Sequence, residues 1–85
     1  MPTLSKENLT EHQLAGVEAY RQLLAKNLPE VEILDAFATD GIIHVRLNDA
    51  SMQDLATSKR VVKFSIKVED RFNVSLLPFV VPHEN

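Results

Sequence analysis

The chain has 85 residues, no cysteine and a formal net charge of −3 at neutral pH, which excludes disulfides, thiolate metal sites and thiol nucleophiles. Its length and ordinary apolar fraction predict a single folded domain over residues 1–85, with residues 1–9 and 82–85 loosely ordered. Without a long apolar run or a signal-peptide pattern, we expect a cytoplasmic protein with no membrane association. A domain this small has a modest core, so self-association is the expected source of extra stability.

The first predicted helix begins at Glu11. Thr10, followed three residues later by Gln13, has the pattern of a capping box, in which the two side chains bond each other's backbone N–H groups. Asn27 and Pro29 are the stop signals that end this helix.

The Asp40-Gly41 pair between two β-rich runs predicts a hairpin with these two residues as its loop. In the resulting register one face is apolar, and it consists of Leu34, Ala36, Ala38, Ile43, Val45 and Leu47. The opposite face carries Ile33, Asp35, Phe37, His44 and Arg46. On that face Asp35 lies across from Arg46, an opposite-charge pair that favours this register. Phe37 would be costly to leave in water, so this face is a predicted contact surface.

The segment after the hairpin has two interpretations. Ser51 is a predicted N-cap with Asp54 at the third helical position, so a helix of some kind starts there. From Ser58 onward, alternation of apolar and polar residues is typical of a strand. Helical spacing instead places one row of cations on a single face, formed by Lys59, Lys63, Lys67 and Arg71 with Arg60 beside it. We favour the helix, because a hairpin turn near residues 69–71 would lack Gly or Asn.

The last run, residues 74–81, predicts a strand whose Pro78 belongs at a sheet edge or a bulge, since proline cannot donate to a ladder. The element order α-β-β-α-β predicts a small α+β two-layer sandwich. Its sheet is expected to have three antiparallel strands, with the last beside the first and both helices on one face. The alternative, in which residues 58–72 are a strand, is one long helix packed on a four-stranded antiparallel sheet.

The sequence predicts no enzyme, no cofactor and no metal site. His12, His44 and His83 are far apart and no cysteine accompanies them. The serines lack the context of an activated nucleophile. The two glycines cannot build a phosphate-binding loop.

The stretch from Asp54 to Val74 resembles the second-helix region of acyl carrier proteins, over less than a third of the chain. The matching positions are Asp54, Leu55, Ser58, Val62, Glu69, Phe72 and Val74. The resemblance implies a helix that ends near Phe72 and a phosphopantetheine arm on Ser58. Thr57 and Lys59 replace the family's Asp and Leu, and the helix is basic where carriers are acidic, so a degenerate carrier-like domain is the weakest of three functional hypotheses.

The leading hypothesis is a non-catalytic protein-interaction module, a homodimeric regulatory or assembly subunit. The candidate partner-binding residues are Lys59, Arg60, Lys63, Lys67 and Arg71 on the basic helix, and Phe37, His44 and Arg46 on the hairpin. Nucleic-acid binding by the basic helix is the alternative. It ranks second because the Gly-x-x-Gly clamp of KH-type modules is absent and no exposed aromatic pair is predicted for base stacking.

Overall fold

The computed structural model describes residues 5–7, 9–52 and 54–80. Its strands are β1 (Ser5–Glu7), β2 (Ile33–Thr39), β3 (Ile42–Leu47) and β4 (Leu76–Val80); its helices are α1 (Glu11–Asn27) and α2 (Leu55–Phe72), with a 3-10 turn at Asp49–Met52. Residues from both helices and from one side of the sheet form a single hydrophobic core. The protein is therefore a small α+β domain of two layers, as predicted, with both helices on one face.

The predicted strand order and the all-antiparallel sheet are wrong. The strands lie in the order β1-β2-β3-β4, and only β2 and β3 are antiparallel. The last strand, β4, runs parallel to β3 because α2 carries the chain back beside the strand it left. The position beside β2 is occupied by β1, a short parallel strand that the sequence did not predict. The four-stranded alternative with one long helix is also wrong, because residues 58–72 belong to α2.

The hairpin has the predicted turn and most of the predicted register. Asp40 and Gly41 have positive φ angles of 55° and 79°, as a type I′ turn requires at both central residues. Ala38 pairs with Ile43, but a bulge after Ile33 shifts the pairing farther from the turn. The extra residue reverses the alternation there, so Ile33 is buried and Leu34 is 39% exposed, opposite to the prediction.

Helix α1 begins and ends where the sequence predicted. The Thr10 hydroxyl accepts the Gln13 N–H at 3.1 Å, and the Gln13 side chain accepts the Thr10 N–H at 3.0 Å, which completes the capping box. The glycine inside the helix, Gly16, is explained by packing: a Cβ there would lie 3.2 Å from the Val74 side chain. The missing side chain thus allows close approach of the segment that follows α2.

Helix α2 begins later than predicted, with Asp54 rather than Ser51 as its N-cap. The 3-10 turn occupies the earlier residues, and within it the buried Ser51 hydroxyl donates to the Asn48 carbonyl at 2.9 Å. The Asp54 carboxylate accepts the Thr57 N–H at 2.8 Å, and this bond lowers the pKa of Asp54. At the other end, left-handed Asn73 stops the helix by donating its N–H to the Glu69 carbonyl.

Tyr20 links the two helices inside the core. It is fully buried, and its hydroxyl donates to the Val61 carbonyl of α2 at 2.9 Å. Burial raises the pKa of Tyr20 above that of a solvated tyrosine, because the tyrosinate would lose its hydration. The neutral hydroxyl is the form that the fold requires.

We expect the protein to lose stability in alkali through Tyr20. The folded state keeps a proton that the unfolded chain releases above pH about 10, so this contribution is complete below that pH and is lost as the pH rises further. Ultraviolet titration would follow this residue directly, since the chain has one tyrosine. Tyr20→Phe should lower the free energy of unfolding by about 1 kcal/mol at neutral pH and should show a smaller alkaline loss in denaturant titrations. An equal alkaline loss in both proteins would contradict this assignment.

Candidate functional site

The sheet face opposite the helices carries an aromatic cluster formed by Phe37, His44 and Phe79. The Phe37 and His44 rings are stacked, with centroids 4.9 Å apart and planes 7° from parallel. Phe79 meets both rings edge-on at 6.4 and 6.5 Å. All three side chains are half-buried. Together with the exposed residues Ile42 and Leu77 they form the apolar part of what we call the open sheet face.

The predicted ion pair lies on the open sheet face. Arg46 Nε donates to Asp35 Oδ2 at 2.9 Å, and a terminal nitrogen of the same guanidinium lies 2.8 Å from that oxygen. The hydrogen bond to Asp35 raises the pKa of Arg46, since it stabilises the charged guanidinium. Arg46 is therefore engaged by its own neighbour, and the two charges neutralise each other.

The free edge of β4 is poorly suited to pairing with another strand. In a parallel ladder, alternate residues direct their backbone groups toward the neighbouring strand. The Ser75 carbonyl accepts from Ile43 N–H on β3, so Leu76 and Pro78 direct theirs to the free edge. There the Leu76 N–H donates to the Glu69 carboxylate at 2.8 Å, and Pro78 has no N–H. The prediction that Pro78 lies at a sheet edge is confirmed.

The basic residues of α2 form the helical row that the sequence suggested. The lysine row, as we call it, consists of Lys59, Lys63, Lys67 and Arg71, all exposed. Within the described ranges, the ion pairs are Arg21 with Glu18 and Arg46 with Asp35, so no carboxylate there neutralises the row. Arg60, beside the row, places its guanidinium 5.7 Å from the centre of the Phe64 ring, a cation–π contact.

A second feature of α2 was missed by the sequence analysis. Leu55, Val62 and Ile66 are 70%, 49% and 50% exposed, although helical periodicity alone puts Val62 and Ile66 in the same wide apolar arc as the core residues of α2. We call these three residues the apolar stripe. The signal was present in their spacing, since residues 7 and 11 positions after Leu55 return to the same side of a helix.

A groove of about 620 Å³ lies between α1 and α2. Its floor includes Leu23, Val68 and Phe72, and its rim includes the cations Lys26, Lys67 and Arg71. The far end of the lysine row therefore borders an apolar depression as well as solvent.

The described histidines lie on different elements of the fold. His12 is exposed in the first turn of α1, His44 belongs to the aromatic cluster, and His83 lies outside the described residues. Over those residues no three potential metal ligands come together.

None of the helices in the described residues has the length and hydropathy needed to cross a bilayer. Ser58 is half-buried and donates to the Ser51 carbonyl at 3.3 Å.

No known protein family, no curated protein and no solved structure matches this chain. Two surfaces of the described residues are the candidate sites, the open sheet face and the outer side of α2.

The lysine row should cost stability, because like charges one helical turn apart repel. Lys63→Glu places a carboxylate between Lys59 and Lys67, so repulsion on both sides becomes attraction. We expect a gain of about 0.5 kcal/mol at low ionic strength and little gain in high salt, measured by thermal denaturation.

Lys26→Glu is the matched control, since it makes the same change in net charge in the last turn of α1. A carboxylate near a helix C-terminus is unfavourable, so this variant should gain nothing. If both variants gain the same stability, the change in net charge explains the gain, and relief of repulsion within the lysine row does not.

Proposed function

We propose that this protein is a non-catalytic interaction module that forms a homodimer through its open sheet face. The observation that carries the proposal is the aromatic cluster on the side of the sheet that the helices leave uncovered. Leu77, which is 48% exposed, extends the same apolar surface across β4. Aromatic side chains supply large buried area at interfaces, and a small domain gains stability when such a face is covered.

A second copy is the partner that the charges favour. In a two-fold dimer the same patch meets itself, so any net charge on it would be repelled. The charged side chains described on this face, Asp35 and Arg46, are already paired with each other. Two such faces can pack as aligned sheets about 10 Å apart. The blunted edge of β4 favours this face-to-face arrangement over extension of the sheet.

A dimer of this kind would serve as a regulatory or assembly subunit and leave α2 facing outward. Nucleic-acid binding ranks second for a geometric reason. The aromatic cluster lies on one side of the sheet and the lysine row on the helical side. One nucleic-acid strand could not stack its bases on the aromatic cluster while its phosphates contact the lysine row.

Sedimentation equilibrium tests the dimer. We expect twice the 9.6 kDa chain mass at micromolar concentrations, with little response to moderate salt because the interface is apolar. Leu77→Asp should raise the dissociation constant at least about tenfold, since symmetry buries the unpaired carboxylate twice.

The matched control is Ile66→Asp. Ile66 and Leu77 are almost equally exposed, at 50% and 48%, but Ile66 lies on α2, away from the sheet. This variant should remain dimeric, and circular dichroism should show that both variants are folded. A wild-type protein that stays monomeric at several hundred micromolar, or a Leu77→Asp protein that stays dimeric, would reject the proposal.

A further inference from the structure

The outer side of α2 combines two features that normally lie apart on a helix. At about 100° per residue, the apolar stripe of Leu55, Val62 and Ile66 occupies an arc of roughly 40°. Lys59, Lys63 and Lys67 occupy the arc next to it, on one flank. The core-facing residues Val61, Phe64 and Val68 lie on the far side. A solvated helix face has no need of three large apolar side chains that are about half or more exposed.

The length and residue spacing of the apolar stripe match those of a helix that docks on a partner. From Leu55 to Ile66 the stripe runs about three turns, or roughly 16 Å along the axis. Helices that dock on a partner present apolar anchors at intervals of three, four and seven residues. The stripe offers anchors at intervals of seven and four residues, with the lysine row parallel to it.

The charge of the surface disfavours antiparallel pairing with the α2 helix of a second copy. The row carries exposed cations without an ion-pair partner among the described residues, and in an antiparallel two-fold pairing of α2 with α2 the rows would meet on the same side. Asp70 shares the angular arc of the row but follows its last lysine in sequence. Glu18 on α1 is already bonded to Arg21. An acidic group from another molecule is the complement that this surface lacks.

We propose that the apolar stripe and the lysine row of α2 bind an acidic amphipathic helix from a different protein. The apolar face of that helix covers Leu55, Val62 and Ile66, and carboxylates along one flank pair with Lys59, Lys63 and Lys67. This site is separate from the open sheet face, so it does not depend on the proposed dimer. Where the dimer forms, it presents two such sites.

The test uses the full chain, labelled with nitrogen-15, and a synthetic peptide with leucines at helical spacing and glutamates along one flank. The comparison peptide has the same composition in scrambled order. We expect amide shifts concentrated in residues 55–67 and binding at least about tenfold tighter for the amphipathic peptide, because only it presents apolar anchors and carboxylates together.

Variants separate the two components of the surface. Ile66→Asp should weaken peptide binding about tenfold or more, and Leu77→Asp should not change it, the reverse of their effects on the dimer. Lys63→Glu should also weaken binding, about tenfold at low salt, while Lys26→Glu leaves it nearly unchanged. Thermal denaturation of the Lys63→Glu protein, which we expect to be stabilised, separates a loss of binding from unfolding.

Two other ligands decide between this proposal and its competitors. Anionic phosphatidylglycerol vesicles that bind the protein while the peptide does not would assign α2 to a membrane surface. A DNA oligonucleotide bound with dependence on Lys63 but not on Ile66 would assign it to phosphate. Equal binding of the scrambled peptide, or shifts confined to other parts of the chain, would also overturn the proposal.

Discussion

The structure depends on the packing of α2 against one face of the sheet. Val61, Phe64 and Val68 fill the space between α1 and the strands, and the Tyr20 hydroxyl bonds the Val61 carbonyl within it. Two helices are enough to cover one face of so small a sheet and cannot cover both. The aromatic cluster on the other face therefore stays uncovered because the chain is small, and an exposed apolar patch of this kind is the basis for the proposed dimer.

Local signals predicted the local structure well. The capping box at Thr10, the Asp40-Gly41 turn and the pair of Asp35 with Arg46 each depend on residues close in sequence or fixed by one turn. The strand order depends on contacts between distant segments that leave no such signal. The parallel pairing of β4 with β3 follows from β1 taking the other edge of the hairpin, and β1 is three residues with no distinctive pattern. The bulge at Leu34 was hidden because Ile33 and Leu34 are equally apolar.

The two candidate surfaces could be predicted only in part, for the same reason. The lysine row follows from helical spacing once α2 is known to be a helix, so its geometry could be read from the sequence. The spacing of the apolar stripe could also be read from the sequence, but its exposure could not, because the periodicity of residues 58–72 gives a broad apolar arc and does not show where the core ends. Phe79 and Leu77 joined the open sheet face only through the position of β4, which no local pattern specified.

The two surfaces differ in the one property that determines what each can bind. The open sheet face is apolar, and the charged side chains described on it, Asp35 and Arg46, pair with each other, so this pair does not repel a copy of itself. The outer side of α2 is apolar along one stripe and mainly basic beside it, so antiparallel pairing with the α2 of a copy is unfavourable and an acidic partner is attracted. Because the sheet separates the two surfaces, neither partner would obstruct the other. In the proposed arrangement, one face of the domain forms the dimer while the other binds a second protein.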